Sequence, residues 1–201
     1  MALLLSSAIS VARGILSDTG AVLRYSDADL LEYANGALRA LTELKPNLLY
    51  VEGDVACVAG SALQSVGFAD IHSIADVVRV KNGNTLTPAD KASMDSFVPG
   101  WMQATAAAAR NWLPHASDPF KFYVYPPAPA GQTVVVLYVR VPGPYTSTED
   151  TGLPESLTDA VASYIVGMAE SRDDEHVNSG RAAQFLDQFS ARLGVAPAKK
   201  G

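Results

Sequence analysis

The sequence predicts an α+β fold: a helical bundle, made of an N-terminal and a C-terminal helix pair, with a small antiparallel β-sheet or hairpin subdomain between them. Apolar residues recur at three- and four-residue spacing near both ends of the chain, over residues 4–16, 30–41, 157–168 and 182–193. The middle instead carries short runs of β-branched and aromatic residues, broken by Gly, Asn and Pro. At 201 residues the chain can bury a substantial core without disulfides or metal. One domain spanning 1–201 is therefore expected, helical over 1–45 and 153–194, β-rich over 47–142, with a flexible tail at 195–201.

In order along the chain, Leu4, Leu5, Ala8, Ile9, Ala12, Ile15 and Leu16 fall on one helical face, and the pattern stops at the turn-formers near Asp18 and Gly20. MALLLSSAISVARG lacks a basic leading region and reads as part of that helix, not as a signal peptide. Ser26 offers an N-cap and Asp27 and Asp29 suit the helix dipole. Leu30, Tyr33, Ala34, Ala37, Leu38 and Leu41 then form the stripe of a second helix that ends before Pro46. Gly36 within it implies close packing or simple tolerance.

Residues 48–52, 56–59 and 74–80 are short β-prone stretches, with turns expected at Gly53-Asp54, Gly60-Ser61 and Asn82-Gly83. Thr87 as N-cap and Pro88 at the first helical position predict a short helix over 88–97. The alanine-rich run 104–109 favours helix, and Trp101 and Trp112 anchor it to the core. Strands are expected at 121–125 and 133–141, joined as a hairpin by the stiff loop PPAPAGQ. After a loop at 143–152, Pro154 and Glu155 open a helix carrying Leu157, Ala160, Val161, Tyr164, Ile165 and Met168. Ser171 caps a last helix, with Asp173, Asp174 and Glu175 in its first turn and a stripe of Ala182, Phe185, Leu186, Phe189 and Leu193. Gly194 sits where a C-cap glycine belongs.

Composition narrows the function classes. A net charge of −6 argues against a protein that grips nucleic-acid phosphates. The mixed basic and aromatic run Lys121, Phe122, Tyr123 and Tyr125 is explained by strand alternation as readily as by base stacking. Cys57, the single cysteine, reads as a small buried hydrophobe in a reducing compartment. No run reaches the roughly 18 apolar residues that cross a bilayer, so a soluble protein with no membrane partner is expected.

Reactive groups are sparse. His72, His115 and His176 are far apart and match no metal spacing, and Asp173, Asp174, Glu175 and His176 form a cluster that dipole compensation alone explains. GSALQSVG lacks the serine of a nucleophile elbow, and no Gly-rich loop precedes a Lys-Ser or Lys-Thr pair. The pairs Asp27 with Asp29 and Glu149 with Asp150 lie in a cap and a polar loop, without an apolar setting to raise a pKa. No catalytic residue, metal ligand or cofactor site is therefore assigned, and no enzymatic activity is expected. Pro126, Pro127 and Pro129 fit either a polyproline segment that binds an aromatic groove or, as the favoured reading, a loop that shapes the hairpin and guards a sheet edge, with an assembly contact also open.

The second half carries a resemblance. Trp112, residues 120–131, VVVLYVRVP, LPESLTDAVASYI and NSGRAAQFLDQFSARLG follow one another in an order that resembles the head-to-tail adaptor (connector) proteins of tailed bacteriophages, best over 112–194 and weakly in the middle third. That resemblance implies a structural virion protein of the neck. Its implied partners are the portal protein, a tail tube or nozzle protein and further copies of itself in a ring, a dodecamer. DNA would pass through the lumen without specific binding. It implies host cytoplasm as the site of assembly, and insertion of the APAKKG tail or a helix end between portal subunits. A tail-completion or stopper protein is the alternative within that class. A small cytosolic enzyme would need a pocket of convergent Asp, Glu or His side chains, and a nucleic-acid module a basic stripe.

Overall fold

The structure, a computed structural model, describes residues 2–172 and 179–195. The strands are β1 (Ala2–Leu4), β2 (Tyr50–Ala56), β3 (Leu63–Ser65), β4 (Ile71–Val80), β5 (Thr87–Pro88), β6 (Asn111–Pro114), β7 (Lys121–Tyr125), β8 (Thr133–Arg140) and β9 (Asp150–Pro154). The helices are α1 (Leu5–Leu16), α2 (Asp27–Leu44), α3 (Lys91–Phe97), α4 (Thr158–Arg172) and α5 (Ser179–Arg192). The class is the α+β class that the sequence predicts. The chain divides into two compact units, Met1–Leu48 with Pro142–Gly201, and Leu49–Val141.

The first unit is a helical bundle. Ser26 caps α2 as expected, its hydroxyl accepting from the Asp29 amide at 3.1 Å. The helix ends at Leu44, ahead of Pro46. α1, α2 and α5 all pack on α4. That position explains why α4 is buried around most of its circumference: Ala162, Val166, Gly167 and Ala169 are as enclosed as Ala160, Val161 and Ile165, whereas Tyr164 and Met168 of the expected stripe are only half-buried. Its small residues let neighbours approach closely. A Cβ on Gly167 would lie 2.8 Å from Leu186 Cγ of α5 and 3.2 Å from the Ala182 carbonyl. At Gly36 a Cβ would only touch the Tyr164 ring, at 3.4 Å. α5 ends in a Schellman motif: the Val195 amide donates to Ser190 O, the Gly194 amide to Ala191 O, and Gly194 has φ +69°.

Two expectations fail in this unit because segments far apart in the chain pair. Ala2–Leu4 leaves the predicted helical stripe and pairs antiparallel with Asp150–Pro154, a segment expected to be loop and helix start. Thr151 secures the pair by donating its hydroxyl to Leu3 O at 2.9 Å. Leu4 and Ile15 of the expected stripe are exposed, while Leu5, Ala8, Ile9 and Ala12 form the buried face. Ser171 is not a cap: it lies inside α4 and its hydroxyl donates to Met168 O. Asp173, Asp174, Glu175 and His176, like the tail at 196–201, lie outside the described residues.

The second unit holds two sheets, β2-β8-β4 and β3-β7-β6-β5, antiparallel throughout except for the β5–β6 pair. Its core gathers Val55, Val77, Phe122, Val124, Val134 and Val136, with Trp112 and Tyr138 at the margin. Trp101, Ala62 and Leu113 form a second cluster. Both tryptophans are buried, as expected.

The expected hairpin of 121–125 and 133–141 does not form. β8 has β2 on one edge and β4 on the other, and β7 lies between β3 and β6, so neither strand has an edge left for the other. Pro126, Pro127 and Pro129 contribute no N–H to a ladder. Their loop packs inward, with Ala128 fully buried and accepting from the Gly60 amide at 2.7 Å. That burial disfavours an exposed polyproline ligand.

Gly53 and Asp54 form no turn; both pair with β8 inside β2. Glycine is needed there for close approach, because a Cβ would lie 2.5 Å from the Phe68 ring. The 56–59 stretch is not a strand beyond Ala56. Thr87 and Pro88 form β5 in place of the expected helix start, with the Thr87 amide donating to Arg110 O and the Ala89 amide to Trp112 O. Asp90 then caps α3, accepting from the Ser93 amide at 2.8 Å. The alanine run is not helical either. Its amides reach outward, Ala107 to Pro127 O and Ala109 to Gln132 Oε1, and these tertiary bonds outweigh helix propensity of a few tenths of a kcal/mol per residue.

Candidate interaction surfaces

The chemistry-bearing side chains occupy structural positions. Cys57 is half-buried; burial pushes its thiol pKa up, partly opposed by the Gln132 amide. His115 stacks on Tyr123 at 5.5 Å. Asp27 pairs with Arg13, and Asp29 accepts from the Ser26 hydroxyl. Glu149 accepts from the Thr146 amide and Asp150 from the Gly152 amide, both turn roles. Gln64 of GSALQSVG is buried and bonded to Val58 and Ser61 backbone.

The basic and aromatic run is equally committed. Phe122 is fully buried, Tyr123 and Tyr125 pack edge-on against Trp101, and Lys121 pairs with Asp118 at 2.8 Å. No row of free rings for stacking bases results. Among the described residues no group of three or more His, Cys, Asp or Glu side chains converges as a metal site. No helix among them is long and apolar enough to cross a membrane.

The most distinctive surface is the α1–α2 connection. Ser17 ends α1 in the left-handed conformation, and the chain then bends around a buried carboxylate. Asp18 accepts from the Arg13 guanidinium, from the Arg24 amide at 2.7 Å and from the Tyr25 amide at 3.3 Å. Arg13 also donates to Tyr25 O at 3.0 Å and to Asp27 Oδ1 at 2.7 Å. A buried, multiply bonded carboxylate is costly to break, so both ends of the loop are fixed. Its tip is apolar and in solvent: Val22 is 90% exposed and Leu23 45%.

Beside this loop, α1 and α2 enclose a groove of about 430 Å³ with Ile9, Ala28 and Leu31 as its apolar part and Ser6, Ser10, Arg13, Asp27 and Ser147 around them. Sequence reading missed both features. The signal available was Val22-Leu23 lying between polar turn residues instead of on a helical stripe.

The β unit presents two further features. α3 buries no residue and leaves Phe97 84% exposed. It is held by Asp95, which accepts from Lys91 at 2.6 Å and from the Trp101 indole at 2.8 Å; the Lys91 bond first and the indole second lower its pKa. β2 is an edge strand, paired on one side with β8. Among the described residues no strand lies on its other side, the position at which a sheet can be extended.

These features define an α+β protein whose conspicuous surface features are a braced apolar tip, a groove, an exposed aromatic and a strand edge. The chain belongs to the SU10 adaptor protein family, whose family model matches residues 4–200. The family is one of adaptor proteins, the class that the sequence resemblance implies. It is also similar to a chain in a solved structure described as the neck of an empty GTA particle computed with C6 symmetry. Identity there is 17%, 100% of this chain and 96% of that chain are covered, and the TM-score is 0.32. No curated protein sequence matches the chain.

Proposed function

We propose that the chain is a ring-forming head-to-tail adaptor that docks on the portal, extends the DNA channel and presents a surface to the tail tube or nozzle protein. The observation that carries this reading is the family match across residues 4–200. A net charge of −6 supports a channel wall that does not retain DNA. The ring is proposed to be a dodecamer in the virion neck, assembled in the host cytoplasm, with no enzymatic step and no cofactor. Docking is proposed to be templated: subunits gain their neighbours' surfaces once the portal has positioned them, and the C-terminal APAKKG segment or a helix end inserts between portal subunits.

Electron microscopy of the purified chain mixed with a matching portal ring, alongside the mass of the chain alone, tests this. The expected result is a low-mass chain in isolation and an added ring on the portal. A chain that ignores the portal overturns the reading.

A further inference from the structure

We propose that the pocket beside β5 and the paired ends of β6 and β7 is a carboxylate-binding site with Arg110 as its anchor. The inference goes beyond the adaptor reading and stands on the β unit alone.

The pocket is formed before any ligand arrives. Its volume is about 660 Å³, in the range of sites that take small molecules or side chains. Backbone bonds fix its walls: the Thr87 amide donates to Arg110 O at 2.9 Å, the Arg110 amide to Tyr125 O at 2.8 Å and the Ala107 amide to Pro127 O at 3.1 Å. Asn84 ties in the neighbouring loop by donating its side-chain amide to Thr85 O and to Ala109 O, each at 3.2 Å.

The charge of the pocket is unanswered. Arg110 is the only charged residue of the lining, and among the described residues its guanidinium has neither an ion pair nor a hydrogen bond. The other cations of the β unit are all engaged. Arg79, Lys81, Lys91 and Lys121 pair with Glu52, Asp54, Asp95 and Asp118, and Arg140 has contacts of its own. Thr85, Thr87 and Tyr125 bring three hydroxyls to the same lining, and none of them donates to another described residue. A lining with a surplus of donors, one positive charge and no carboxylate is complementary to an oxyanion.

The count of charges selects the kind of oxyanion. One guanidinium neutralises a carboxylate and matches it fork to fork. A phosphate dianion would leave a negative charge uncompensated on a chain that already carries −6. The Ala107 and Ala108 methyls and the Pro126 ring give the aliphatic stem of an acid an apolar wall. Arg110 is exposed, so solvent screens its pair with a free acid, and contacts from a segment that carries the carboxylate would add to the affinity.

The test titrates the isotope-labelled full chain, at low and constant ionic strength, with glutarate, with the capped peptide acetyl-Ala-Glu-Ala-amide and with inorganic phosphate. Nuclear magnetic resonance follows the Arg110 Nε–H and the Thr87 amide. Saturable shifts of both signals with the two carboxylates are expected, and the tighter of the two tells whether a free acid or a protein side chain is the better source. No saturation by either carboxylate overturns the proposal, as does phosphate saturating the same signals more tightly.

Arg110→Gln is expected to leave the thermal melt unchanged, because the side chain is exposed and unpaired, and to raise the dissociation constant for the carboxylates about tenfold or more. Thr87→Val keeps the shape of the wall and removes one hydroxyl, for a rise of about threefold. Unchanged affinity in Arg110→Gln overturns the proposal.

Discussion

The helical unit and the β unit are each organised around one element from the second half of the chain, and they use opposite side chains to do it. α4 is central through small residues: Ala160, Ala162, Ser163, Gly167 and Ala169 let α5 approach until the Gly167 backbone rests on Leu186. β8 is central through large ones: Val134, Val135, Val136 and Val139 are buried, and Val135 is flanked on its own face by Asp54 and Arg79. Ion pairs from Lys81 to Asp54 and from Arg79 to Glu52 span that face. A central helix needs neighbours close on several sides, so bulk is excluded. A central strand needs its faces filled, so bulk is required.

The sharpest way to break this comparison is Gly167→Val. The added side chain meets Leu186 Cγ and a backbone carbonyl that cannot move aside, so we expect a loss of about 3 kcal/mol, read as a fall in denaturation midpoint by circular dichroism at 222 nm. Both tryptophans lie in the β unit, so their emission follows that unit. An equal shift in the emission midpoint would show that the units do not differ in the way described.

Asn35→Leu is next. Asn35 is buried in α2 and clamps residue 145, donating to Tyr145 O at 3.0 Å and accepting from Tyr145 N at 2.8 Å. Leucine keeps the volume but strands two backbone groups, at a cost of about 2 kcal/mol. Hydrogen exchange at the Tyr145 amide is expected to rise with it.

In the β unit, Gly53→Ala is expected to cost about 1 kcal/mol, less than the helical glycine. The obstacle is the half-buried Phe68 ring, which can swing outward once its 4.7 Å packing on Tyr138 is given up. Tryptophan emission during urea unfolding measures this.

Asp95→Asn should have the smallest effect, and it carries a pH signature. The folded pKa of Asp95 is lowered, chiefly by Lys91 and then by the Trp101 indole. The stabilisation is therefore complete above the ordinary aspartate value of about 3.9 and is lost as pH falls through the lower folded value. Wild-type Trp101 emission is expected to change in that acid window, and the variant to show a smaller step.

Legibility follows the range of the interactions. The limits of α2, the Ser26 cap, the Gly194 C-cap and the strand at 121–125 are readable because each depends on residues within a few positions. The β7–β8 hairpin was misread because adjacent strands usually pair, whereas here β2 and β4 occupy both edges of β8. Thr87-Pro88 has the chemistry of a helix start, and only the nearby Arg110 and Trp112 carbonyls turn it into a strand. The tip and groove escaped for a related reason. Arg13 and Asp18 are five residues apart, yet their joint role needs Tyr25 and Asp27 to arrive from across the loop.

By itself the sequence determined the α+β class, the helical ends, the main strand segments, the acidic character and the resemblance to an adaptor family, because helices close their hydrogen bonds locally and composition needs no geometry. Only the tertiary structure decided which strand pairs with which, that Ala2–Leu4 and Asp150–Pro154 form one small sheet, and that Val22 is held in solvent over a buried ion pair. The strand pairings rest on partners far apart in the chain and the brace on residues that the loop must first bring together, and a strand or a buried charge takes its place only when such a partner is present.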